Sequence, residues 1–128
     1  MRKANDMKVD ELIKKENKNE KYLTDENCRV FNSYMLDIVR YERPIFGPLY
    51  SSAAIYYGLL EDNDIFKFYI SHRYDIINYK EFSDLKEALR YLFMSCKRID
   101  GETNYDEAYD YIVSYLQISE NKSLKLNK

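Results

Sequence analysis

The feature that most constrains this chain is a change of hydrophobic period in its middle. Upstream, Phe31, Tyr34, Met35, Ile38 and Tyr41 recur at helical spacing, and Val30 and Val39 widen the stripe. From Ala53 the run AAIYYGLL is built of strand formers and small residues. After Glu61-Asp62-Asn63-Asp64 comes IFKFYIS, in which Phe66, Phe68 and Ile70 alternate with Lys67 and Tyr69. Two such runs around a short Asp/Asn turn mark a β-hairpin. Tyr74–Tyr79 reads as a third strand continuing the meander, with Ile76 and Ile77 facing opposite sides and partial cover on both faces. Downstream the helical period returns in Leu85, Ala88, Leu89, Leu92, Cys96 and Ile99, and again in Tyr105, Ala108, Tyr109, Ile112 and Leu116. A helix, a run of strands and two further helices predict an α+β fold. The expected arrangement is an N-terminal helix, a three-stranded antiparallel sheet (hairpin plus third strand), and two C-terminal helices packed on one sheet face.

Local signals set the expected boundaries. Thr24 is a good N-cap, and Asp25 and Glu26 suit the positive end of the helix dipole. That helix should stop near Glu42, because Pro44 disfavours helical geometry in the residue before it. ERPIFGPLYSS, with both prolines and a glycine, reads as an ordered loop. Ser83 is the expected cap of the next helix, Gly101 its stop within Asp100–Thr103, and Asn104 the cap of the last. Residues 1–22 are highly charged and predict a frayed helix or mobile tail, and residues 119–128 a polar tail. Between them, residues 23–118 form one α+β domain. A chain of 128 residues can bury roughly two-thirds of its unfolded surface, enough for a core without disulfide or metal.

Few catalytic chemistries can be assembled from these residues. Cys28 and Cys96 stand apart, without CxxC spacing, and a zinc site needs about four ligands where this chain has a single His. With 3 Gly there is no phosphate-cradling glycine loop. His72 lies between Ser71 and Arg73-Tyr74-Asp75, but neighbours in a strand point to opposite faces and cannot form a relay. The arginines of ERP and HRYD could grip a phosphate, or simply form salt bridges. The expectation is a protein with no catalytic residue, cofactor or metal. No apolar run approaches the roughly 20 residues of a membrane span, and no signal peptide is evident at the N-terminus, so the cytoplasm is the expected compartment. A formal charge of −2 argues against direct binding of nucleic acid by phosphate neutralisation.

Charge is unevenly placed. Between Asp100 and Asn121 stand Asp100, Glu102, Asp106, Glu107, Asp110 and Glu120, with no Lys or Arg. Tyr105, Tyr109, Tyr111 and Tyr115 are interleaved with them, in a chain holding 14 Tyr. Asp106 and Asp110 share one outward helical face, and Glu107 and Tyr111 the adjoining one. The hairpin turn adds Glu61, Asp62 and Asp64. The plain reading is a solvated face. The sharper one is a partner-binding surface of Asp62, Asp64, Glu102, Asp106, Glu107, Asp110 and Tyr111 that docks a basic protein, charge steering its approach and aromatic rings slowing its release.

The block from Ala53 to Phe93 also resembles small immunity proteins of bacterial polymorphic and contact-dependent toxin systems. Many of these carry an R…F…s…eA…yl arrangement, present here as Arg73, Phe82, Ser83, Glu87, Ala88, Tyr91 and Leu92. The resemblance spans about a third of the chain, and His72-Arg73-Tyr74 stands where many relatives have an acidic-Arg-Gly step. It implies a cytoplasmic protein that occludes a cognate toxin domain, often a basic nuclease or other nucleotide-directed enzyme. Two further expectations stay open. One is a small regulatory or scaffold subunit, monomeric or a homodimer paired through tyrosine-rich surfaces. The other is an enzyme using His72 and Arg73 on a phosphorylated substrate.

Overall fold

The computed structural model describes residues 7–8, 20–39, 44–47, 55–72, 75–100 and 104–118. Met7–Lys8 form a two-residue strand, β1, antiparallel to Asp75–Ile76. This part of the N-terminal segment is therefore neither frayed helix nor free tail, as its charge had suggested. Helix α1 spans Asp25–Ile38. Thr24 caps it from an extended conformation, its hydroxyl accepting the Asn27 N–H at 3.2 Å, which satisfies one of the orphan donors of the first turn. The helix ends before Glu42: Val39 is already extended, and its N–H donates to the Met35 carbonyl. That conformation carries the Val39 side chain into the core, where it is 1% exposed. Tyr41 lies outside the described residues.

The segment expected to be wholly loop contains strand β2, Pro44–Phe46, paired in parallel with Tyr57–Leu59. Proline is tolerated there because β2 is an edge strand. Asn32 of α1 fastens the strand, accepting the Phe46 N–H at 2.8 Å and donating to its carbonyl at 3.1 Å. The meander follows as expected, in β3 (Ile55–Asp62), β4 (Ile65–His72) and β5 (Asp75–Phe82), the third strand running past Tyr79. Asn63 and Asp64 both take positive φ, 51° and 72°, the backbone pattern of a type I′ hairpin turn whose twist matches that of the strands. The sheet order is β1-β5-β4-β3-β2. It is a mixed sheet rather than a three-stranded antiparallel one, because a parallel edge strand and a short antiparallel one flank the meander.

Helix α2 spans Leu85–Asp100 and α3 spans Asn104–Leu116. Asp84, not Ser83, caps α2: its carboxylate accepts the Glu87 N–H and its carbonyl the Ala88 N–H. Asn104 does more than start its own helix. Its amide donates to the carbonyl of Ile38, one of the acceptors left unpaired at the end of α1. One buried cluster joins Phe31 and Met35 of α1, Leu59 and Phe68 of the sheet, Leu89 and Leu92 of α2, and Ala108 and Ile112 of α3. All three helices therefore lie on one face of the sheet. The other face holds its own cluster of Leu60, Tyr69 and Ile76. A bulge between Ile70 and Ser71 separates buried Ile76 from Ile77, which is 47% exposed. Tyr69 lies flat across Gly58, where a Cβ would fall 2.2 Å from the ring, and its hydroxyl donates to the Gly47 carbonyl at 3.0 Å.

Candidate functional site

The residues singled out from sequence separate into three places. At the hairpin, Asp62 and Glu61 are not surface charges: they are 7% and 2% exposed. Asp62 pairs with Lys67 at 2.8 Å across the turn. Glu61 faces the helices, where one carboxylate oxygen accepts the N–H groups of Tyr22 and Leu23, both at 2.9 Å, and the other that of Lys21 at 3.0 Å. It is the anchor for the chain leading into α1. Both residues are therefore withdrawn from the docking surface, and of this group Asp64 alone stays exposed. The reason was present in the strand alternation. Tyr57, Leu59 and Glu61 share one face, so a strand that continues through Asp62 carries Glu61 inward.

The hairpin and the first residue of α3 lie at opposite ends of α1, and α3 runs back alongside that helix as far as Phe31, against which Tyr115 packs. Glu61 holds the residues before the first turn of α1, while Asn104 bonds to Ile38 at its last. Fourteen residues at 1.5 Å rise separate those ends by about 21 Å. The acidic turn and the acidic helix do not form one continuous patch. Glu102 lies outside the described residues.

On α3 the acidic residues divide between two flanks. Glu107 and Tyr111 face α1, where Tyr111 stacks on Tyr34 with ring centroids 3.9 Å apart and planes within 11°. Burial pushes the Tyr34 phenol above its ordinary value of 10.0, with Glu107 and Tyr111 adding to the rise. Tyr111 here is a packing residue as much as a surface one, half-buried against its neighbour helix.

Asp106 and Asp110 occupy the other flank and rim a cleft of about 380 Å³ between α2 and α3. Its floor is aromatic: Phe93 of α2 and Tyr105 of α3 stack at 5.8 Å and are nearly buried. Its α2 wall is Arg90 and Met94, one helical turn apart, and Met94 is 56% exposed. The Arg90 guanidinium lies 5.0 Å from the centroid of the Tyr109 ring, within cation–π range. The cleft thus combines apolar walls, a flat aromatic wall that already receives a cation, and two carboxylates four residues apart. Arg90 and Met94 lie off the apolar stripe of α2, and the helical period alone gives them no role. Their i, i+4 spacing was visible, but nothing in sequence says which helix that flank faces.

No catalytic grouping forms around His72 among the described residues. Ser71 is buried, His72 is exposed, and the two point to opposite faces of β4. Cys28 and Cys96 are buried thiols, and neither is in a disulfide. Among the described residues no group of three or more His, Cys, Asp or Glu is placed to hold a metal ion, and no helix is long and apolar enough to cross a membrane. Comparison with protein-family models, curated proteins and solved structures gave no match.

Proposed function

We propose that this chain works by binding a basic partner protein in the α2–α3 cleft, as an immunity protein that occludes a cognate toxin enzyme in the cytoplasm. The observation that carries the reading is the composition of the cleft: Asp106 and Asp110 exposed on the rim, over the ring surfaces of Tyr105, Tyr109 and Phe93. Phe93 and Tyr105 are already buried and Tyr109 is half-buried, so Tyr109 is the ring that offers a partner an aromatic anchor, while charge adds speed and selectivity. Residues 104–118 hold Asp106, Glu107 and Asp110 and no Lys or Arg, so α3 repels acidic surfaces and attracts basic ones. A toxin that acts on nucleic acid carries such a basic surface, because its substrate is a polyanion. The resemblance around Arg73 to Leu92 points to the same role. The helix α3 is thus the part of this fold that would meet the toxin, with the sheet and α1 as its support.

The immunity reading expects a large secreted protein with a toxin-like C-terminal domain to be encoded immediately upstream, and the test is co-expression with that domain. The chain should form a one-to-one complex with that domain and restore growth. The double variant Asp106→Lys/Asp110→Lys should keep its circular dichroism spectrum and lose both effects. A folded double variant that still protects the cell would remove the cleft from the interface. A toxin domain that neither binds the unaltered chain nor is silenced by it would remove the immunity reading.

A further inference from the structure

Resting on that reading, we propose that the partner's contact continues across α3 to the seam between α1 and α3, where Tyr34, Tyr111 and Tyr115 form an aromatic strip that receives a basic segment of the same partner.

The strip is a product of antiparallel packing. Asn104 bonds to the carbonyl of Ile38 and Tyr115 packs edge-on against Phe31, so α3 runs back along α1. Between those contacts Tyr34 and Tyr111 stack with ring centroids 3.9 Å apart, and Tyr115 follows Tyr111 at 6.0 Å. The strip is therefore about 10 Å long at most, the reach of three residues of an extended segment. The core does not consume these rings. Tyr115 is 43% exposed, and Tyr34 and Tyr111 are half-buried. Three adjoining rings that all keep surface in solvent differ from the single apolar residues scattered over any protein exterior.

Charge selects the occupant. Glu107 is exposed beside the Tyr34 phenol, which it helps to push above its ordinary value. Asp37, also exposed, lies three residues after Tyr34 and so on the same side of α1. Neither carboxylate forms an ion pair among the described residues. Arg29 is the one Lys or Arg in the sequence of the two helices. It lines a cavity with Cys28, Asn32 and Gly47 on the side of α1 that faces β2, away from the strip. A second copy of this chain would bring carboxylates against carboxylates, and a nucleic acid or an anionic membrane would bring phosphates. A basic protein segment meets opposite charge at the edge of the strip and aromatic rings along it, the combination that favours cation–π contact.

The probe is acetyl-Gly-Arg-Ser-Arg-Gly-amide, whose two arginines point the same way when the peptide is extended, titrated into the ¹⁵N-labelled full chain. The citrulline peptide is its uncharged isostere and the glutamate peptide its charge reversal. Amide shifts should centre on Tyr34, Asp37, Glu107, Tyr111 and Tyr115, with the citrulline and glutamate peptides inert. Asp37→Asn/Glu107→Gln should weaken arginine-peptide binding about 2- to 30-fold, the factor for two exposed ion pairs. Tyr34→Leu/Tyr111→Leu keeps an apolar contact between the helices and should weaken it about 5- to 30-fold, the factor for two exposed cation–π contacts. Asp37 and Glu107 are exposed, so the charge variant keeps the test decisive even if the tyrosine variant unfolds. With the arginine peptide bound, the Tyr34 phenol should titrate nearer its ordinary 10.0, because the cation offsets Glu107 and arginine keeps its charge at that pH. Equal binding of the arginine and citrulline peptides overturns the strip. So do shifts spread over unrelated carboxylates such as Asp64 and Asp84, and binding that the charge variant or a folded tyrosine variant leaves unchanged. Shifts confined to Met94, Asp106 and Asp110 overturn it as well, and place the basic segment in the cleft alone. The titration uses no toxin domain, so its failure is distinct from failure of the growth-protection experiment, which tests the immunity reading.

Discussion

Glu61→Ala tests the most consequential contact in this fold. The carboxylate gathers three backbone N–H groups from Lys21, Tyr22 and Leu23, at 3.0, 2.9 and 2.9 Å. Hydrogen bonds to charged groups contribute about 1.5–3 kcal/mol each, and an orphaned buried donor costs about 1–3 kcal/mol. The three share one carboxylate and are not additive, and water can reach Lys21, which is exposed. Counting the Tyr22 and Leu23 donors in full and the Lys21 donor as largely recovered by water gives about 3–5 kcal/mol. Against a typical total of about 5–15 kcal/mol, that is a large share. Glu61→Gln should fall between, losing about 1–2 kcal/mol, because its oxygen can still serve Tyr22 and Leu23 while its amide opposes the Lys21 N–H. The assay is urea unfolding followed by circular dichroism, with amide hydrogen exchange read at residues 21–23. Loss of protection there should exceed the loss elsewhere in Glu61→Gln. A Glu61→Ala variant within about 1 kcal/mol of the unaltered chain, below the cost of even one orphaned buried donor, would refute the assignment of Glu61 as an anchor. It would return the residue to the surface.

Other outcomes follow from the packing. Gly58→Ala forces a methyl to within 2.2 Å of the Tyr69 ring, and overpacking of a fully buried site should cost about 1–3 kcal/mol or more, read as a fall in melting temperature. Asn32→Ala removes both bonds that hold Phe46 to α1 and should cost about 1–2 kcal/mol, with faster exchange of the Phe46 amide while β4 stays protected. Tyr69 is buried, and desolvation followed by the nearby Cys28 thiol raises its phenol far above the ordinary 10.0. An acid whose folded value is raised stabilises the fold fully below pH 10 and loses that contribution as pH climbs past it. Stability should therefore fall above about pH 10, and phenolate absorbance from Tyr69 should appear only with unfolding. In Tyr69→Phe the alkaline fall should be shallower, though the variant starts lower because the Gly47 carbonyl loses its donor.

The elements whose side chains repeat with a strong local period were legible in the sequence. Phe31, Met35 and Cys28 mark the inner face of α1, and Leu85, Ala88, Leu89 and Leu92 that of α2, and both faces are buried as their spacing requires. The hairpin turn was legible because Asn63 and Asp64 are residue types that tolerate positive φ. What stayed hidden depends on partners far along the chain. Pro44–Phe46 is too short for alternation to show, and it is a strand only because Tyr57–Leu59 and Asn32 accept it. Met7–Lys8 likewise takes its form from β5. The acidic residues were visible as residue types, but their surroundings were not. Glu61 points inward because of strand parity, and Asp106 and Asp110 become a cleft rim only once Arg90 and Met94 are set opposite them.

Helix α1 is held at one end by Glu61 and at the other by Asn104, residues about 40 and 66 positions away in the chain. Contacts so distant in sequence must wait for the intervening chain. On the ribosome, α1 is made before the other two described helices, and its C-terminal end gains its partner only after both have been made. The meander must emerge before Glu61 can seize residues 21–23, and α3 must clear the exit tunnel before Ile38 gains its donor. A chain truncated after Phe93 should consequently exchange the amides of α1 rapidly, and one extended through Leu116 should protect them. Helix α1, translated before α2 and α3, is thus completed at a late stage of assembly.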